Sequence, residues 1–172
     1  MLSPDTPSAD IRSKAETMLA RIPAAMCSFN LLRSVAKREG IEIFDAGLGE
    51  LAGTLRRVGD RWQIHLNCVD GPTRRCGTLA RLLGHYVLHA ARADAFAVGG
   101  FMLRQDTPTA TEEWEAGEFA AELLMPRTII EGRLHRRPTA ADILSLALWC
   151  GVSQHTMVQR LRTLGYAVSP WA

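Results

Sequence analysis

The sequence predicts an α+β domain, with a small antiparallel or mixed sheet near the N-terminus and helices before and after it. Three observations carry that expectation. Residues 41–67 hold short runs of two-residue alternation, clearest in Arg61-Trp62-Gln63-Ile64-His65-Leu66-Asn67, where Trp62, Ile64 and Leu66 alternate with polar neighbours. From residue 74 onward the spacing changes to that of a helix, with Leu79, Leu82, Leu83, Val87 and Leu88 on one side. The chain has 172 residues, of which 47% are hydrophobic and 22% charged, enough for one domain with a real core.

Each element follows from local signals. Residues 11–22 place Ile11, Ala15, Met18, Leu19 and Ile22 on one helical face, and Pro23 ends the run. Ser28 is positioned to cap a second helix over 30–38, with Leu31, Leu32 and Val35 inward and Gly40 as its stop. A short strand over 41–44 comes next, then strands over 51–58 and 61–67 joined by the Gly59-Asp60 turn. The glycines at 47, 49 and 53 have the wrong spacing for a dinucleotide-binding turn and read as a loop. After Asp70-Gly71-Pro72 a long helix spans 74–91, and Val98-Gly99-Gly100 reads as a Gly-rich connection to Phe101-Met102-Leu103. Thr109 or Thr111 caps a helix over 112–124, and shorter helices follow over 126–134 and 139–149. A last helix ends at Leu164. It joins its predecessor through Gly151-Val152-Ser153, which gives the pair helix-turn-helix-like spacing. The expected organisation is a flexible N-terminus over residues 1–10, one domain over 11–165 and a tail over 166–172.

Composition excludes several classes. A net charge of +2 argues against nucleic acid or an anionic membrane as the main partner. The apolar stretches are broken by Arg, Glu or His, so none spans a bilayer. The opening MLSPDTPSAD lacks the basic and apolar regions of a secretory signal, which makes the cytoplasm the expected compartment. There the cysteines at 27, 68, 76 and 150 are thiols. Nothing in the pattern sets an oligomeric state.

Chemistry concentrates in two stretches. The first is Thr78-Leu79-Ala80-Arg81-Leu82-Leu83-Gly84-His85-Tyr86-Val87-Leu88-His89. The second is Glu112-Glu113-Trp114-Glu115-Ala116-Gly117-Glu118-Phe119-Ala120-Ala121-Glu122-Leu123-Leu124-Met125-Pro126. Together they resemble the ImmA/IrrE family of zinc metallopeptidases, whose HExGH helix is followed by an EAN-x-F-A-x-x-L-L-M-P helix. The resemblance extends over about residues 10–165 and implies a zincin-like fold. In that family the two His and the Glu of the second helix hold zinc, and the Glu of HExGH is the catalytic base.

Carried over residue by residue, the second His is His85 and the third ligand is Glu115. Arg81 stands in place of the first His and Leu82 in place of the base, so the pentapeptide reads Arg81-Leu82-Leu83-Gly84-His85. Gly117 replaces the Asn, so the resemblance leaves open how the ligands are supported. A guanidinium has no lone pair for a metal, Leu82 accepts no proton, and two ligands make a poor zinc site. Arg81, His85 and Glu115 are thus vestigial metal positions and Leu82 a vestigial catalytic one, with no metal or cofactor expected. Arg81 is expected to pair with Glu115 and replace the metal's charge. His89, one turn beyond His85, is either a packing residue or part of a substitute site with His85 and a cysteine.

The resemblance implies a pseudo-protease that regulates by binding a helix-turn-helix repressor of a mobile element or stress regulon. Two alternatives stand beside it. One is a residual zinc peptidase with rearranged ligands. The other is a DNA-binding module that uses the C-terminal helices, with Arg160 and Arg162 meeting phosphates.

Overall fold

The computed structural model describes residues 9–20, 29–99, 108–134 and 137–168. Helices α1 (Ala9–Ala20) and α2 (Phe29–Arg38) lead into strand β1 (Ile41–Ala46). Strands β2 (Gly53–Val58) and β3 (Arg61–Asn67) follow, then helix α3 (Pro72–His89) and strand β4 (Ala95–Val98). Helices α4 (Ala110–Leu124), α5 (Arg127–Arg133), α6 (Ala140–Cys150) and α7 (Gln154–Thr163) complete the chain. The predicted α+β class holds. Of the expected termini, residues 1–8 and 169–172 lie outside the described residues, as do Ser28, Cys27 and Phe101-Met102-Leu103.

The sheet is mixed and runs in the order β1-β3-β2-β4. β2 and β3 form the expected hairpin, with Val58 opposite Arg61 and Gly59 at φ 64°, a value that a two-residue turn demands and glycine supplies. β1 joins β3 in parallel, with Ile43 opposite Ile64. β4 pairs antiparallel with β2, Phe96 opposite Leu55. β4 is not among the strands that the sequence predicts. Four residues with alanine at alternate positions carry too little periodicity to announce a strand, and pairing with β2 creates it.

Alternation along β2 and β3 puts Leu55, Ile64 and Leu66 on the core face with no exposure, against Leu79, Leu82 and Leu83 of α3. Phe119 and Leu123 of α4 close the other side of α3. The buried Asn67 ties down the loop before β2, its Nδ2 donating to the carbonyls of Gly49 and Leu51 at 2.9 Å each. Between the two candidate caps of α4 the structure selects Thr109, in a reciprocal capping box with Glu112, and Thr139 with Asp142 does the same for α6. Gly151 ends α6 in the left-handed conformation at φ 65°. Cys68, Cys76 and Cys150 are free thiols, and burial pushes Cys150 up to about 11. Among the described residues no helix is long and apolar enough to cross a membrane.

Candidate functional site: a charge network between two packed helices

The site lies where α3 meets α4, and Gly84 makes the meeting close. A Cβ on Gly84 would stand 2.9 Å from the Ala116 carbonyl oxygen and 3.1 Å from its Cα, so only a glycine lets the helices approach this far. The glycine of the motif is thus a packing residue. On either side of that contact the polar residues of α3 face those of α4.

Helical spacing places Arg81, His85 and His89 on one face of α3. His85 and His89 are fully buried, their Nδ1 atoms 3.1 Å apart. His85 Nε2 lies 3.2 Å from Glu113 Oε1, and His89 Nε2 lies 2.8 Å from Glu115 Oε2. Arg81 Nη1 donates to Glu113 Oε2 at 3.2 Å. The five residues form one unbroken chain: Arg81, Glu113, His85, His89, Glu115. Phe96 of β4 stacks on the His85 ring at 4.9 Å and fixes its plane.

Each Nε2 faces a carboxylate oxygen, an acceptor for the hydrogen that a ring carries there. Arg81 and the two imidazoles thus set donors against the two carboxylates where the helices meet. Burial alone would raise the Glu113 carboxyl, but the hydrogen bond and charge of His85, together with Arg81, outweigh it and hold the group below its ordinary value.

This arrangement corrects one expectation. Arg81 does not take Glu115; it takes Glu113, and Glu115 takes His89. The reason is geometric. Arg81 lies two turns before His89 on α3, so the residue nearest Glu115 is His89, while Glu113 sits between Arg81 and His85. The pairing of Glu113 with His85, and of His89 with Glu115, is not legible in the two motifs. The four-residue step from His85 to His89 was the available signal, since it puts a second imidazole on the same face.

Leu82 is fully buried, and its Cδ1 would stand 2.9 Å from a Cβ on Gly53 of β2. The position that would hold a base is thus part of the α3–sheet packing. Each ring nitrogen is engaged by a carboxylate or by the other ring, and among the described residues no three His, Cys, Asp or Glu converge on a common point. Among the described residues no cysteine joins the His pair in a metal-binding group.

Beside the network opens a cleft of about 550 Å³, walled by α3, α4, the end of β4 and the first turn of α7. Arg81 and Gly117 both line it.

The C-terminal helices are fastened by a second ionic cluster. Arg160 of α7 is buried, with Nη2 2.6 Å from Glu122 Oε2 and Nε donating to the Met125 carbonyl at 3.1 Å. It thereby serves an orphan carbonyl at the end of α4. Arg12 of α1 approaches the other Glu122 oxygen at 3.6 Å. This corrects the assignment of Arg160 to DNA phosphates: the side chain points inward because α7 packs its Arg160 face against α4. Arg162 remains exposed.

The fold has known counterparts. A "Mycobacterium tuberculosis transcriptional regulator" matches with a TM-score of 0.61 over 94% of this chain, at 20% identity, a level that speaks for the fold alone. This chain spans about half, 48%, of that regulator. Among curated proteins none matches the sequence. The family model for the IrrE N-terminal-like domain matches residues 36–162, which include the sheet, the α3–α4 pair and most of the C-terminal helices. The chain belongs to the IrrE N-terminal-like domain family.

Proposed function

We propose that this chain is a non-hydrolytic regulatory module that captures a protein segment in the cleft beside the α3–α4 network, the partner being a helix-turn-helix transcriptional repressor. The observation that carries the reading is the pairing of Arg81 with Glu113 next to a buried Leu82. A fixed cation occupies the first ligand position, and the second position belongs to the core, so water activation has neither metal nor base. The scaffold around them is intact, and so is the cleft. Regulation without cutting requires only that the module bind one state of the repressor better than another. The likeness to a transcriptional regulator fits a regulatory setting in general.

The test is affinity capture from the native host with the tagged chain, then incubation of the captured repressor with its operator. An intact repressor that loses its operator in the presence of the chain is the expected result. A cleaved repressor, or capture that recovers no transcription factor, defeats the reading.

A second reading, a zinc peptidase with shifted ligands, has one observation in its favour. His85 and His89 keep the four-residue spacing of a helical His pair, with Glu113 and Glu115 facing them. Elemental analysis separates the two: one zinc per chain, lost in His85→Ala, would support the enzyme.

A further inference from the structure

We infer that the cleft selects an extended peptide segment carrying an acidic side chain, which Arg81 receives; this rests on the reading above and names the chemistry of the captured segment. The cleft wall is one-sided in charge. It carries Arg74 and Arg81, and the hydroxyls of Thr73, Thr78, Ser153 and Thr156, and no Asp or Glu among the described lining residues. Glu113 and Asp70, the partners of these two arginines, lie outside the lining, so the cleft face itself presents donors and no carboxylate.

Arg81 is placed to use that bias. Its side chain is 43% exposed, and only Nη1 is engaged with Glu113 among the described residues. Nη2 lies on the side of Gly117, where an added Cβ would meet nothing nearer than that nitrogen, at 3.8 Å. Two of the three departures from the family pattern therefore act in one place. Arg81 supplies a cation, and Gly117 leaves the space beside it open. A planar guanidinium with donors to spare takes a carboxylate in a forked pair, a geometry that a neutral amide or a lysine does not reproduce. Arg74 adds a second positive charge on the same wall, although it also pairs with Asp70 at 3.2 Å.

The remaining lining favours an extended backbone over a free small anion. Val98 of the edge strand β4 and the adjoining Gly99 form one side, with alanines and Gly117 opposite. A volume of about 550 Å³ holds several residues of small side chain rather than one isolated ion.

The experiment measures fluorescence anisotropy of a labelled, end-blocked Ala/Ser peptide with one central Glu, against the same peptide with Gln or Lys. The Glu peptide is expected to bind at least about ten-fold more tightly than the Gln peptide, the value of one charge-assisted hydrogen bond. The preference should shrink in salt, vanish in Arg81→Gln and fall partly in Arg81→Lys. Because Arg81→Gln also removes a partner from Glu113, Arg74→Gln serves as a second variant outside the network and should weaken the Glu peptide by a smaller factor. Equal binding of Glu and Gln peptides, or no binding of any peptide, overturns the inference. So does displacement of the Glu peptide by equimolar acetate or phosphate, which would make the site one for a free anion. Repressor capture without any Glu preference refutes this inference alone. A failure to capture the repressor refutes the functional reading, whatever the peptides do.

Discussion

His89 Nε2 stands 2.8 Å from Glu115 Oε2, with the ring fully buried and the carboxylate about one-third exposed. The bond closes one end of the five-residue chain that Arg81 begins at the other. Substituting His89→Ala strands Glu115 and the Nδ1 of His85 together and leaves a void against Phe96. The expected loss is about 2–4 kcal/mol in urea unfolding, a value discounted for the partial exposure of Glu115. A loss under about 0.5 kcal/mol would mean that the network is decorative.

Arg160 and Glu122 should behave as a unit. Removing either partner alone, as in Arg160→Met or Glu122→Leu, leaves a buried charge without its nearest partner, with an expected cost of about 3–5 kcal/mol. The double variant should recover much of that, which a double-mutant cycle reads directly. The same burial determines how DNA binding is tested. Arg162→Ala, at an exposed position, is the clean probe, and it should leave any gel shift with duplex DNA unchanged.

Restoring the family's motif is a folding experiment as much as a catalytic one. In Arg81→His with Leu82→Glu, the new carboxylate enters a fully buried site against Gly53. Without metal the variant should lose about 2 kcal/mol or more, measured by thermal unfolding. If saturating zinc returns the Tm to near wild type, the scaffold still closes around a metal. No response to zinc would place the divergence in the whole donor set, beyond those two positions.

Gly84→Ala tests the close packing of α3 on α4. The added methyl meets backbone rather than a movable side chain, so the helices must separate, at about 1–3 kcal/mol. Stability equal to wild type would show that the helices part freely here.

Two carboxylates on α4 should pull the pH dependence in opposite directions. The backbone N–H of Thr109 holds Glu112 below its ordinary value. A lowered folded pKa gives stability that is present above the unfolded pKa and lost as pH falls through the folded one. Glu112→Gln should therefore cost stability at neutral pH and little in strong acid. Burial raises Glu118, against the opposing charge of Arg160 and with the help of Glu122. A raised folded pKa gives stability that is present below the unfolded pKa and lost as pH rises through the folded one. Glu118→Gln should therefore stabilise the chain at neutral pH, with the gain disappearing in acid. Urea midpoints of both variants across the acid range check the two signs.

By itself the sequence determined the class of fold, the hairpin with its Gly59 turn, the extents of α3, α4, α6 and α7 to within a few residues, and the family. These depend on periodicity, capping residues and turn glycines, all of which act within a few positions along the chain. It also determined what Arg81 and Leu82 cannot do, because a guanidinium and an alkyl group lack the needed lone pairs wherever they lie. Only the tertiary structure decided which charges meet. Glu113 and Glu115 are two residues apart on one helix, and nothing local says that the first serves His85 and Arg81 while the second serves His89. That assignment depends on how closely Gly84 lets α3 approach Ala116. Strand β4 and the burial of Arg160 were hidden for the same reason: each is created by a neighbour far away in sequence, β2 in one case and Glu122 in the other.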